Sequence, residues 1–166
     1  MRTAIRTFAA RDHFGTTTSE VPKDAGISQG YLYRLFPDKE ALFTAVIDYC
    51  TARTREGFAE AVATVNSTDP QEILASVKRS FRGFVADRDL LMILMHGNCA
   101  AREPAIGEAV RVCYAKQVEN LQAVSGASDE QVRRYFADEF LAGVMRAVGA
   151  EGVDALWART LRGPNL

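Results

Sequence analysis

The sequence has little with which to do covalent chemistry, bind metal or cross a membrane. Its three cysteines, Cys50, Cys99 and Cys113, are an odd number with no CxxC spacing, and they read as small buried hydrophobes. A thiol-based sensor using Cys99 or Cys113 is the other use open to them. The two histidines, His13 and His96, lie far apart; His96 and Cys99 sit three residues apart on one helix face, but zinc needs two further ligands that the spacing does not supply. No metal and no cofactor are therefore expected. A phosphate-binding glycine loop and a nucleophile with a recognisable base are also missing, so an enzyme is the class least expected. No apolar run approaches bilayer length, residues 90–95 being the longest conspicuous one. The opening Met1-Arg2-Thr3-Ala4 leads straight into a helical pattern without the apolar stretch of a signal peptide, which makes the cytoplasm, with no membrane contact, the expected location. Alternating β-branched stretches of strand length are absent too, which leaves helices.

What is present is an ordinary soluble pattern. The 166 residues are enough for one compact unit or two small ones, and 48% apolar with 25% charged residues excludes a disordered chain. A net charge of −1 neither demands nor forbids nucleic acid, because what matters is where positive charge sits. Residues 1–40 carry six basic side chains (Arg2, Arg6, Arg11, Lys23, Arg34, Lys39) against five acidic ones, so a basic surface there must come from arrangement. The 3.6-residue period predicts a first helix to about residue 11, then helices over 18–25, 29–35 and 38–65. Further helices are predicted from Pro70 to about residue 86, over 89–99, over 103–124, from Ser128 to about 148, and over 153–161. Glycine and proline mark the breaks, at Gly26, Pro37, Pro70, Pro104, Gly126, Gly149 and Gly163-Pro164. Asp69 before Pro70, and Ser128 three residues before Gln131, are helix-start signals.

Residues 16–36, TTTSEVPKDAGISQGYLYRLF, are the most informative stretch. Thr17 and Glu20 have capping-box spacing, Gly26 suits a left-handed helix end, and Ser28 caps a second short helix. Two short helices joined by so tight a glycine-containing turn form a helix-turn-helix unit, whose second helix places its N-terminal residues in a major groove. Gln29, Gly30 and Tyr31 stand there, with Tyr33 and Arg34 one turn on. Glutamine can pair with adenine and arginine with guanine or phosphate; tyrosine hydroxyls reach phosphates, and Gly30 lets the backbone come close. Leu32 and Phe36 read as core. Tyr33 and Arg34, being adjacent, cannot both be core.

The pattern resembles the TetR family of repressors. Phe8-Ala9, Thr16-Thr17, Val21-Pro22, Ala25-Gly26-Ile27-Ser28, Gln29-Gly30-Tyr31-Leu32-Tyr33 and Phe36-Pro37-Asp38-Lys39-Glu40-Ala41-Leu42 follow the family order without a gap over about residues 4–43. The resemblance implies an all-α fold, with a three-helix DNA-binding domain over 1–44 and a helical effector-binding and dimerisation domain over 45–166. It implies phosphate contacts from Thr17, Tyr33 and Lys39, and groove contacts from Ser28, Gln29, Gly30, Tyr31 and Arg34. It also implies three partners: an operator in double-stranded DNA, a small mostly apolar effector, and a second copy of the chain. The sequence departs from the family pattern in places. The family's basic arm and first helical turn precede the point where Met1 stands, which implies fewer phosphate contacts. Asp12-His13 replaces a Gly-aromatic pair. Pro22 replaces Ala: if the helix starts from a Thr17 cap, Pro22 costs about 3 kcal/mol, whereas a start from Ser19 puts it in the tolerated first turn. The alternative function is thus an all-helical dimeric ligand-binding protein with impaired DNA binding.

For the effector, Phe84, Met92, Met95, His96, Tyr114 and Gln117 are the candidate pocket residues, with His96 as the polar contact; the plainer reading of each is ordinary core. The 128–148 helix is apolar on two sides, with Tyr135, Leu141, Met145 and Val148 on one and Val132, Phe136, Phe140, Gly143 and Ala147 on the other. The second side, together with Trp157 of the last helix, is expected to face a second copy.

Overall fold

Side-chain caps set most of the helix starts in the computed structural model, which describes residues 1–17 and 19–162. The helices are α1 (Arg2–Gly15), α2 (Glu20–Ala25), α3 (Gln29–Leu35), α4 (Lys39–Ala63), α5 (Pro70–Ala86), α6 (Arg88–Cys99), α7 (Pro104–Ser125), α8 (Asp129–Ala147) and α9 (Leu156–Arg162), with a 3₁₀ turn at Ala150–Gly152. No strand occurs among the described residues. Ser28 Oγ accepts from the Tyr31 amide at 3.1 Å and starts α3, and Asp38 Oδ1 accepts from the Ala41 amide at 2.7 Å and starts α4. Asp69 and Asp87 accept from Gln71 and Asp89 amides at 3.0 and 2.9 Å, starting α5 and α6. Ser128 and Gln131 form the full capping box of α8. The expected start at Thr18 and the Gly163-Pro164 break lie outside the described residues.

One start settles a choice that the sequence left open, and another departs from the sequence reading. The second helix begins at Glu20 from an N-cap at Ser19, so Pro22 falls in the first turn, where no helical partner is lost for its missing N–H. The last helix begins at Leu156, three residues later than expected. Arg162 donates to the carbonyls of Glu151 and of Val153, the latter at 2.9 Å, and Val153 is extended at ψ 116, so the connection cannot join the helix.

The long α4 runs through two apolar clusters. Near its start Phe43, Val46, Ile47 and Cys50 pack with Ala4, Ile5 and Phe8 of α1, Ile93 of α6, and Ile106 and Cys113 of α7. One cluster therefore crosses the expected domain boundary at residue 44. Further along, Phe58 joins Ile73, Leu74 and Val77 of α5, Leu121 of α7, and Val132 and Tyr135 of α8. The short α9 is fastened by a separate contact of Ala158 with Met145 and Ala150. Phe8, Val46 and Val77 are wholly buried, and each such side chain contributes roughly 1.5–3 kcal/mol of hydrophobic stabilisation.

Within α1, Asp12 adopts φ 56, ψ −174, a combination that kinks the helix where the sequence reading ends it, after residue 11. The Asp12 carboxylate receives the Gly15 amide at 2.8 Å and its carbonyl receives the Thr16 hydroxyl at 2.6 Å. Those two bonds hold the turn that delivers the chain to α2.

Candidate functional site

The helix pair α2–α3 is built from a small buried base and an exposed outer surface. Val21, Pro22 and Leu32 are buried, and Gly26 ends α2 in the left-handed conformation at φ 67, its amide bonding back to the Lys23 carbonyl. Ser28, Gln29, Gly30, Tyr31 and Arg34 are all exposed, so the whole N-terminal turn of α3 is free to approach a partner. The Arg34 guanidinium lies 5.0 Å from the centre of the Tyr31 ring, which presents an aromatic face and a positive charge together. Gly30 has nothing within contact of a side chain added there, so its smallness serves the outside and not the core.

Thr17, Tyr33 and Lys39, the three residues expected to reach phosphates, line one shallow crevice with Val21, Leu32 and Asp38. Two of them already have work inside the chain. Lys39 Nζ donates to the Thr16 carbonyl at 2.9 Å, tying the start of α4 to the turn after α1. Glu20 accepts the Thr17 amide at 2.6 Å and the Thr17 hydroxyl at 2.9 Å, and it also pairs with Arg11. The predicted Thr17–Glu20 box is thus present in its Glu20 half, as a clasp between α1 and α2. His13 is buried beside Lys39; burial first, then the Lys39 charge, lower its pKa, so the ring is neutral at pH 7 and adds no positive charge here.

Residues 1–46 match the family model of bacterial regulatory proteins, tetR family. Residues 1–46 thus carry a helix-turn-helix domain of the tetR-family kind. The chain is 27% identical over 142 residues to YerO, an uncharacterized HTH-type transcriptional regulator of Bacillus subtilis (strain 168), a match covering 83% of this chain and 48% of YerO. A shorter match, 35% identical over 54 residues, links it to the B. subtilis regulator YuxN. The chain spans about half the length of YerO and about a fifth of YuxN. Among solved structures, the TetR family transcriptional regulator PfmR from Thermus thermophilus superposes with a TM-score of 0.67 at 16% identity, over 96% of this chain and 91% of that one. A TetR-like transcriptional regulator from Rhodococcus sp. RHA1 gives 0.68 at 24% identity, over 97% and 88%. At these identities the likeness is one of fold.

Outside the TetR-family helix-turn-helix, α4 to α8 enclose a cavity of about 80 Å³. Phe81 and Val85 of α5, Leu91 and Met95 of α6, Tyr114 and Gln117 of α7, and Tyr135, Phe136, Glu139 and Phe140 of α8 line it. Met95, Tyr114 and Gln117 are thus brought together as expected pocket residues, whereas Phe84, Met92 and His96 are not among its lining. Phe84 and Met92 pack against the first core, and His96 Nε2 lies 3.2 Å from the Ala9 carbonyl, facing α1. The best sequence candidate for a ligand contact is therefore a link between α6 and α1. Tyr114 donates to Asn98 at 3.0 Å and Gln117 donates to Cys113 at 3.0 Å.

The sequence reading missed Glu139, which is 4% exposed and lies on the cavity wall. Arg82 of α5 reaches one of its oxygens at 3.3 Å. A carboxylate is buried almost only when paired, and nothing in the sequence links two residues so far apart. The expected outward side of α8 also divides differently. Val132 is buried in the second core and Gly143 is covered by Met95 and Leu91, while Phe136 packs on Tyr114 and Tyr135. Ala147 is half-buried. Phe140 and Trp157 are exposed, and Leu141, Val148, Val153, Leu156 and Leu161 join them on the outer surface of α8 and the following segment. Leu156 is 74% exposed. No described helix is long and apolar enough to cross a membrane.

Proposed function

We propose that the protein is a DNA-binding transcriptional regulator, a repressor that a small effector releases from its operator. The observation that carries this is the exposed first turn of α3, Gln29 to Tyr31, standing free over a buried Leu32 beside the Thr17–Tyr33–Lys39 crevice. Gln29, Tyr31 and Arg34 supply groove contacts, and Tyr33 with the spare donors of Lys39 supplies phosphate contacts. The working unit is a two-fold dimer through the exposed apolar residues of α8 and α9. That dimer sets two α3 helices in successive major grooves, about 34–36 Å apart. Pro22, in the first turn of α2, leaves the helix pair intact and weakens the case for a regulator that has lost DNA.

An effector held among α4 to α8 acts on the DNA-binding helices by two routes. One is α4 itself, continuous from the α3 turn to the cavity wall at Ile47. The other is α6, which lines the cavity and reaches α1 through His96. Operator and effector then weaken each other's binding equally, typically by about 1–3 kcal/mol.

The test is a titration of the purified protein against its own upstream DNA at two salt concentrations, with a Gln29→Ala, Tyr31→Ala variant as control. Both control residues are exposed, so the variant keeps its melting temperature. Lys39 is unsuitable as a control, because removing it also removes the bond to Thr16. Tight binding that falls with salt and is lost in the variant is the expected result. Weak binding that ignores the substitutions refutes the reading.

A further inference from the structure

Tyr135 and Glu139 stand one turn apart on α8, both on the cavity wall, and both are more than nine-tenths buried. One Glu139 oxygen is held by Arg82 at 3.3 Å; the other, Oε2, has no hydrogen-bond partner among the described residues, and neither has the Tyr135 hydroxyl. A buried polar atom left without a partner is costly, and two of them on neighbouring turns of one helix call for an occupant. Glu139 also lines a second cleft, with Arg82, Arg146 and Glu151. Tyr135 is not among the residues lining that cleft, so it is the side chain that ties the pair to the apolar cavity.

We propose that this cavity takes a small apolar molecule with a hydrogen-bond-donating head, an amine or an alcohol, seated on Glu139 Oε2 and Tyr135 Oη. A carboxylate oxygen can only accept, so the head must bring a proton to Glu139. The phenol can donate in return to a hydroxyl or accept from an ammonium. Burial first, then the Glu139 charge, push the Tyr135 pKa far upward, so its hydroxyl keeps its proton. A carboxylate-headed molecule has no proton to offer at pH 7 and sets a like charge against Glu139. The rest of the wall, Phe81, Leu91, Met95 and Phe136, accommodates the apolar body, and the half-exposed Phe140 marks the mouth that must open to admit a ring. The proposal deepens the regulator reading, on which it rests only for calling the molecule an effector.

The test compares benzylamine, benzyl alcohol and benzoate by calorimetry on the full chain, without DNA. The amine and the alcohol bind, and benzoate binds at least about tenfold more weakly, the ratio expected when one charge-assisted hydrogen bond is replaced by a like charge. Tyr135→Phe lowers affinity for both binders by about five- to tenfold, while its melting temperature holds or rises, because an unpartnered hydroxyl has been removed from the folded protein. A merely structural tyrosine would show the opposite pattern. Glu139→Gln, checked for folding by circular dichroism, abolishes the preference for amine over benzoate. Benzoate binding as tightly as the amine, unchanged affinity in Tyr135→Phe, or no binding of any probe overturns the proposal. Operator titration of the same samples separates the two claims. Probes that fail beside intact operator binding sink this site alone, and probes that bind a chain indifferent to its DNA sink the regulator reading alone.

Discussion

Replacing Asp12 by glycine tests whether the kink in α1 is a strained position. At φ 56, ψ −174 the backbone is in a region that is almost glycine's alone, and a side chain held there costs about 1–3 kcal/mol. Glycine relieves that strain, but it gives up the Asp12 carboxylate bond to the Gly15 amide, about 0.5–1 kcal/mol at an exposed site. It also adds about 0.5–1 kcal/mol of unfolded-chain entropy. These terms leave Asp12→Gly between about 1 kcal/mol less stable and about 2 kcal/mol more stable, with a midpoint about 0.5 kcal/mol on the stable side. Asp12→Ala keeps the strain and loses the bond, so it is destabilised by about 0.5–1 kcal/mol. The glycine variant therefore exceeds the alanine variant by about 1 kcal/mol at the midpoint of these ranges, or about 2–4 °C in melting temperature for a chain of this size. Thermal denaturation at a fixed protein concentration reads the difference without interference from subunit association. An alanine variant as stable as the glycine variant refutes the strain.

Three further outcomes follow from packing and charge, and a fourth from a buried thiol. Gly107→Ala puts a methyl 2.3 Å from the Ala101 carbonyl oxygen, a backbone atom, and is expected to cost about 1–3 kcal/mol in urea denaturation. Gly83→Ala on the open face of α5 meets nothing and is expected to gain about 0.5–1 kcal/mol. Val148→Asp with Leu156→Asp, two residues 66% and 74% exposed in the single chain, leaves the fold intact and yields monomers by light scattering, with operator binding weakened in parallel. Cys50 is fully buried, and burial pushes its thiol up to about 12 from an ordinary value of 9.0. The unfolded chain then loses a proton that the folded chain keeps, so stability is fully present below pH 9 and falls between pH 9 and 12. The fall is up to about 1.4 kcal/mol per pH unit, and Cys50→Ala denaturation curves are expected to lose this contribution while keeping the one that Tyr135, also raised by burial, adds above pH 10.

The helix-turn-helix was legible because its signals are local. Ser28, Gly26 and the exposed Gln29–Tyr31 turn each act within a few residues, and a capping rule or a glycine preference reads them directly. The start of α2 was legible only as a choice between Thr17 and Ser19, which the three-way grip of Glu20 on Thr17 and Arg11 settles in space. The cavity was half legible. The family resemblance implies a pocket near Met95, Tyr114 and Gln117 without saying what they meet, and it cannot tell that His96 turns to the Ala9 carbonyl on a helix far away in sequence. Glu139 was invisible to any pattern of apolar residues, and its burial makes the inward stripe of α8 run Val132, Tyr135, Glu139, Gly143 in place of the expected one.

The unbroken α4 gives the molecule the mechanics of a lever. At 25 residues it is about 37 Å long, so a tilt of about 5° around its far end displaces its start, and the α3 helix attached there, by about 3 Å. That is close to one base-pair step, about 3.4 Å along the duplex. In a two-fold pair the displacements oppose each other, so the spacing between two reading heads changes by about 6 Å while every helix keeps its own hydrogen bonds. On the proposed regulator reading, a molecule wedged near Ile47 need only lean a rigid rod for an operator, whose half-sites cannot stretch to follow, to be let go.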